Sequence, residues 1–288
     1  MNIAIWADKD LDGAGSALLL SILYNQDNIS IYEWKYGQPG EIKGWLNANY
    51  DTFDKIFITD ISIPKELQEY IDKEKVIIFD HHKTHVDIKD NYKVAKTFIK
   101  EETSCVRLIS DTLRDKIKLT TPQKKLIDII DDYDNYSLMY PETLKLNAIF
   151  STYNTPRVQN FIKNFAGGIR EFNLYELNSI KLIFNKLKET ITNLQFFFGV
   201  IKDQKVVSCY CSTGSINEIA HYALKKTKSD IAIVVNLDTK AVSFRKTKKC
   251  PVDLSKIAEI LCDGGGHPYA AGGKITQNFL KFTKTLTC

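Results

Sequence analysis

Three carboxylates stand at alternate positions in Asp8-Lys9-Asp10-Leu11-Asp12-Gly13-Ala14-Gly15-Ser16. Acids this close repel one another and rise in pKa unless a cation sits among them. Their hard oxygen donors suit Mg2+ or Mn2+. The same stretch opens like a calcium loop, Asp-x-Asp-x-Asp-Gly. That loop, however, needs a bidentate Glu at its twelfth position, where this chain has Leu19, and a helix rather than a strand before it. More donors follow at the ends of apolar runs. Ile56-Phe57-Ile58 leads to Asp60, and Val76-Ile77-Ile78-Phe79 leads to Asp80-His81-His82. Three of the five histidines lie between 81 and 85. An imidazole beside these acids is a borderline donor that favours Mn2+ over Mg2+ or Ca2+. Asp131-Asp132-Tyr133-Asp134 forms a fourth cluster at the end of a helical stretch, where acids oppose the helix dipole and so need a reason.

A different chemistry is written into the C-terminal third. Residues 201–288 carry 14 Lys plus Arg against 7 Asp plus Glu, whereas residues 1–200 carry 25 against 28. An acidic first part and a basic second part suit metal-binding carboxylates in one and a polyanion platform in the other. Unevenly spread surface lysines would give the same balance. Arg245 is able to grip a phosphate bidentately, and Lys246, Lys248 and Lys249 extend the positive strand. Gly264-Gly265-Gly266-His267 would expose backbone N–H groups to a phosphate, because no side chains intervene. Tyr269 either packs under this loop or stacks on a base.

The elements that must position these groups follow from the apolar pattern. Short runs rich in β-branched and aromatic residues, ending at Asp8, Asp60 and Asp80, alternate with amphipathic stretches near 14–24, 65–73, 104–115 and 121–133. This alternation predicts an α/β fold with a parallel sheet covered by helices. Ligands of such sheets sit beyond the carboxyl ends of the strands, and all three runs deliver their acids there. Residues 1–135 are expected to form this first domain and 136–196 a helical connection. Residues 197–288 are expected to form a smaller α/β domain, with strands at 196–201, 205–211, 231–236 and 240–245 and helices near 215–226 and 253–262. A glycine-rich segment follows at 264–273.

With 44% apolar and 26% charged residues, the 288-residue chain is not disordered or fibrous. No apolar run approaches the ~20 residues of a membrane span, and the N-terminus does not read as a signal peptide. Cys105, Cys209, Cys211, Cys250, Cys262 and Cys288 lack paired metal-ligand spacing, so reduced thiols in a cytoplasmic protein are expected.

Taken together, the motifs resemble those of the DHH-family phosphoesterases, in the RecJ-like branch of single-strand exonucleases and nanoRNases. Asp8-x-Asp10-x-Asp12-Gly13 is similar to the first motif, although many relatives place a His where this chain has Trp6. Asp60 resembles the second motif and Asp80-His81-His82 the signature that names the family. Asp132 fits the fourth-motif acid, with Asp131 and Asp134 as neighbouring registers. The 264–272 segment resembles the glycine-rich loop of the DHH-associated C-terminal domain, and Ser243-Phe244-Arg245 its upstream strand.

The resemblance implies two divalent ions, Mn2+ or Mg2+, gripping a scissile phosphate in an interdomain cleft and activating a water. Asp12 and Asp60 would be shared between ions, Asp8 and Asp10 would complete one shell, and His81 with Asp132 the other. His82 would bond the phosphate or nucleophile, and Asp80 would orient an imidazole. Arg245, Gly264, Gly265, Gly266 and His267 would bind substrate. The expected substrates are short single-stranded RNA or DNA or a dinucleotide, since a chain of this length lacks room for the extra domain of long RecJ enzymes. Alternatives are a cyclic or linear dinucleotide-signal phosphodiesterase, a nucleotide 3′-phosphatase, and an inactive nucleic-acid-binding module. The choice between RNA and DNA, the polarity of digestion and the oligomeric state, with a homodimer among the options, are left open.

Overall fold

The computed structural model describes residues 1–34, 40–101 and 103–286. They fall into two compact units, Met1–Ile180 and Lys181–Cys288. In the first, strands β1 (Asn2–Asp8), β2 (Asn28–Trp34), β3 (Lys55–Thr59), β4 (Val76–Asp80) and β5 (Lys96–Ile99) form one sheet in the order β2-β1-β3-β4-β5. Every neighbouring pair is parallel. Chain order reverses between β1 and β3, so the crevice beyond the carboxyl ends of these two strands is the expected ligand position. Asp8 ends β1, Asp60 follows β3 and Asp80 ends β4, and all three lie on that one edge.

One face of the sheet buries Ala4, Trp6, Ile56, Ile58, Val76 and Ile78 against Ile42 and Leu46 of α2 (Gly40–Asn49) and Leu67 and Ile71 of α3 (Lys65–Ile71). Trp6 belongs to this core. It is buried, stacks on Tyr32 at 5.2 Å and meets Trp45 edge-on, so it lies among aromatic rings rather than among the acids. Against the opposite face lies α1 (Leu11–Leu23), buried from Leu11 through Leu20. It is enclosed by α5 (Cys105–Thr112), α6 (Thr121–Asp134) and α8 (Arg157–Phe165). Each leucine hidden in this way contributes about 1.5–3 kcal/mol.

Two glycines make the strand-to-helix turn possible. A Cβ on Gly13 would lie 2.2 Å from the carbonyl oxygen of Asp8, and one on Gly15 would lie 2.7 Å from Ile130 Cδ1 of α6. The turn from β1 into α1 therefore has no room for side chains at these positions.

The stretch expected to be a connection divides differently. Helices α7 (Thr143–Thr152) and α8 belong to the first unit, where Phe150, Phe161 and Phe165 pack as a buried aromatic row. Only the 19-residue α9 (Leu174–Thr192) crosses from one unit to the next.

The second unit is a mixed sheet. Its strands are β6 (Phe197–Ile201), β7 (Gln204–Cys211), β8 (Ile231–Asn236), β9 (Ala241–Lys246), β10 (Gly265–His267) and β11 (Ala270–Lys274), in the order β10-β11-β9-β8-β7-β6. Only β7 and β8 run parallel. Helix α10 (Ile216–Thr227) covers one face, and α11 (Leu254–Cys262) with α12 (Gln277–Leu286) the other. The segment expected to be a loop at 264–273 is a hairpin. Gly265 pairs with Gly272, Gly266 with Ala271 and His267 with Ala270. The five described cysteines are buried and form no disulfide, while Cys288 lies outside the described residues. Among the described residues no helix is long and apolar enough to cross a membrane.

Candidate metal centre and phosphate-binding residues

The parallel sheet and its flanking helices bring acids and imidazoles together at one edge. Asp10 caps α1, its Oδ1 accepting the Gly13 N–H at 2.9 Å, and its side chain is exposed. Asp12, two residues on, points the other way into the protein. It is 2% exposed, and its two oxygens accept the backbone N–H groups of Cys105 and Val106 at 2.6 and 2.8 Å. These are the first donors of α5, so the helix N-terminus steadies a carboxylate that burial would otherwise expel.

Asp60 occupies the left-handed region, with φ 59°, and its N–H donates to Phe79 O on the neighbouring strand. Asp tolerates that conformation better than most residues. Its side chain is 2% exposed, and its Oδ1 accepts no hydrogen bond among the described residues. His81 Nε2 lies 3.2 Å from this oxygen. The same Nε2 is 3.6 Å from Asp12 Oδ2, and His81 Nδ1 is 3.7 Å from Asp134 Oδ2. One ligand atom from each of Asp12, His81 and Asp134 lies within 4.8 Å of the others, and the same holds for Asp60, Asp80 and His82.

Electrostatics mark the set as one built for cations. Burial raises Asp12 and Asp60 well above the usual carboxylate range, and neighbouring carboxylates add to the rise. Burial and then Asp10 push Asp8 up to about 7. Asp134 is also raised by burial, against the pull of His81. A divalent cation would relieve this repulsion, and the orphaned Asp60 Oδ1 offers it a ready donor. Oxygen donors in excess with one imidazole are a hard-to-borderline set that fits Mg2+ or Mn2+.

Asp80 behaves differently. It is fully buried, yet its carboxyl falls below the usual range, because the charge of His82 and hydrogen bonds from His82 and His85 overcome the burial. Its Oδ1 accepts from His82 Nδ1 at 2.7 Å and its Oδ2 from His85 Nδ1 at 2.6 Å. Burial disfavours the charged form of His82, but Asp80 outweighs that and raises it to about 10.

The fourth acidic cluster resolves into three separate roles. Asp131 accepts from Ser104 Oγ at 2.6 Å and from Asn135 Nδ2, and pairs with Arg107 at 3.5 Å. Asp132, expected among the ligands, is not brought to them. Its carboxylate takes the N–H groups of Met139 and Tyr140 and the hydroxyl of Thr143, which ties the chain after α6 to α7. Asp134 is the acid that reaches His81. At 100° per residue on a helix, positions 132 and 134 face nearly opposite ways, so only one of them is able to reach the site.

In the second unit Arg245 is held from several sides. Its Nη2 donates to Asn217 Oδ1 at 2.7 Å, and its Nη1 to Phe244 O at 2.8 Å and Ser243 Oγ at 3.1 Å. Neither Asn217 nor His221 of α10 stood out in the sequence. His221 is lowered to about 4 by burial and by Arg245. The glycines expected to cradle phosphate have packing reasons of their own. A Cβ on Gly264 would lie 2.0 Å from Gly272 O, and Gly266 has φ 131°. β10 is nevertheless the edge strand of the sheet, so one side of its backbone faces away from β11. His267 stacks on Tyr269 at 5.4 Å, and Lys246 Nζ donates to Val252 O.

The two units correspond to two domain families. Residues 2–131 match the DHH family, N-terminal domain, and residues 202–287 match the DHHA1 domain. With both domains matched, the chain belongs to the DHH family of phosphoesterases. No curated protein sequence matches it.

Several solved structures share its fold. A pGpG-specific phosphodiesterase from Vibrio cholerae is 14% identical, with TM-score 0.58 over 99% of this chain and 96% of that one. An exopolyphosphatase-related protein from Bacteroides fragilis is 16% identical, with TM-score 0.57 over 99% and 91%. RecJ from Thermus thermophilus in complex with Mn2+ is 12% identical, with TM-score 0.59 over 99% of this chain but only 51% of that one. The chain thus spans about half the length of that RecJ.

Proposed function

We propose that this phosphoesterase hydrolyses phosphodiester bonds of short single-stranded oligonucleotides or dinucleotides with two Mn2+ ions. The observation that carries the reading is the convergence of Asp12, Asp60 and Asp134 on His81, with Asp60 Oδ1 buried and without a hydrogen bond among the described residues. The ions would polarise the scissile phosphate and make a water nucleophilic near neutral pH. Asp12, Asp60, Asp134 and His81 are the proposed ligands of this chain, with Asp8 and Asp10 completing the set. Asp134 replaces Asp132 in that role.

His82 is proposed to bond a phosphate oxygen. Its Nδ1 is held by Asp80, which sustains on the ring the positive charge that a phosphate oxygen would meet. Arg245, the 264–266 backbone and His267 are the proposed binding groups for the substrate's phosphates and terminal nucleotide. Asn217 and Ser243 hold the Arg245 fork in place. The short-substrate reading is supported by likeness over nearly the whole length of a dinucleotide phosphodiesterase. Hydrolysis of a linear dinucleotide signal is the second reading, favoured by the same pGpG-specific neighbour.

A panel assay tests the choice. The purified protein with Mn2+ is given labelled RNA and DNA oligomers of two to twenty nucleotides, cyclic dinucleotides and 3′-phosphonucleotides. Highest kcat/KM on two- to five-mers is expected, and a steady rise with length would contradict it.

A further inference from the structure

We infer that His85, which lies outside the family signature at 80–82, is a positioning residue that sets the orientation of His82 through Asp80. The inference rests on the proposed phosphate-binding role of His82. Asp80 lies at the centre of a buried line of polar groups. Its two oxygens are divided between two imidazoles, Oδ1 to His82 Nδ1 at 2.7 Å and Oδ2 to His85 Nδ1 at 2.6 Å. His85 is fully buried, and its other nitrogen, Nε2, lies 2.9 Å from the hydroxyl of Tyr92. An ionised carboxylate only accepts, so both Nδ1 atoms carry protons. His85 Nε2 shares a hydrogen bond with the Tyr92 hydroxyl, so both nitrogens of this buried ring are held.

The arrangement has a directional consequence. A carboxylate with one strong partner rotates about its Cβ–Cγ bond to follow that partner. Oδ1 also accepts the backbone N–H groups of His81 at 2.9 Å and His82 at 3.4 Å, and with Oδ2 anchored to a buried imidazole the carboxylate is held at both ends, so Oδ1 is a fixed point to which the His82 ring is tied. His82 is the member of the line with solvent access, its side chain 27% exposed, so its aim is the one that needs fixing. A histidine buried only for packing would not need its Nδ1 aimed at the carboxylate that holds the neighbouring imidazole. His85 sits on the short helix α4 (Lys83–Val86), and Tyr92 follows the 89–91 turn, so a local fold of a dozen residues builds the device.

Two polar replacements separate the bonds of His85. In His85→Asn the side-chain amide falls where Nδ1 stood and keeps the Asp80 bond. In His85→Gln it falls where Nε2 stood and keeps the Tyr92 bond instead. Two readouts are taken. One is steady-state kinetics on a dinucleotide with Mn2+. The other is the NMR signal of the His82 Nδ1 proton in metal-free protein, with its exchange rate.

His85→Gln is expected to lower kcat by about 10- to 100-fold, leaving KM within about twofold, and to speed exchange of the His82 proton. His85→Asn should restore both. His82→Ala combined with His85→Gln should be no slower than His82→Ala alone, because two residues acting through one function do not add. An unchanged His82 proton in His85→Gln, or additive losses in the double variant, would overturn the proposal. If the wild-type protein cleaves no phosphodiester, the functional reading fails, while the NMR comparison still decides whether His85 positions His82.

Discussion

Asp134 Oδ2 lies 3.7 Å from His81 Nδ1, and the opposite nitrogen of the same ring lies 3.2 Å from Asp60 Oδ1. One imidazole thus joins the end of α6 to the edge of the sheet. Asp134→Asn should therefore remove Mn2+ binding and at least about tenfold of turnover, with the fold intact. Asp132→Asn should do the reverse. It keeps Mn2+ stoichiometry but weakens the bonds to Met139, Tyr140 and Thr143, at a cost of about 1.5–3 kcal/mol. Calorimetric Mn2+ titration and urea unfolding of both variants separate the two roles.

The metal-free protein should lose stability as pH rises. Asp12, Asp60 and Asp134 are raised by burial, and Asp8 reaches about 7. A carboxyl whose folded pKa exceeds its unfolded value binds more protons when folded. Its contribution is complete below the unfolded pKa, near 3.8, and is lost as pH rises through the folded one. Urea midpoints in EDTA should fall between pH 5 and pH 8, and saturating Mn2+ should flatten that fall. A midpoint in EDTA that climbs over this range would contradict the assignment of raised pKa values.

Much of the first sheet was legible because its chemistry-bearing strands are continuous apolar runs that end in an acid. β1, β3 and β4 stand out for that reason. β2 alternates polar and apolar residues in Asn-Ile-Ser-Ile-Tyr-Glu-Trp, and β5 has only four residues, so neither stood out. The helices at 143–165 were legible as helices but not as part of the first unit, where α7 packs on α6 and α8 on the buried α1, far away in sequence. The 264–273 glycines pointed to a loop, and a hairpin with close backbone contacts uses them just as well. Within the site, three acids in four residues are all plausible donors in sequence. Only the rotation of α6 picks out Asp134.

Two glycines should respond in opposite directions. Gly13→Ala drives a methyl into the Asp8 carbonyl and should destabilise by about 1–3 kcal/mol. Gly44, inside α2, has nothing within 4 Å of its Cβ position, so Gly44→Ala should stabilise by about 0.5–1 kcal/mol. Thermal melts of both variants check the pair.

The second unit is tested through Arg245. Arg245→Ala should raise KM on a dinucleotide about ten- to a hundredfold, the worth of one or two charge-assisted contacts, with Mn2+ affinity unchanged. Asn217→Ala should raise KM less, because the guanidinium keeps its charge but loses the partner at Nη2. Normal KM in Arg245→Ala would exclude this residue from the phosphate platform.

The central claim is that the acids around His81 hold the metal that cleaves a phosphodiester bond. Its most direct test is the release of mononucleotide from a linear dinucleotide by EDTA-stripped protein, with Mn2+ added back, in the wild type and in Asp60→Asn. Activity should be absent in EDTA and return with Mn2+ in the wild type. Asp60→Asn should remain inactive at every Mn2+ concentration while its melting temperature is preserved. Turnover that persists in EDTA, or that Asp60→Asn retains, would contradict the assignment.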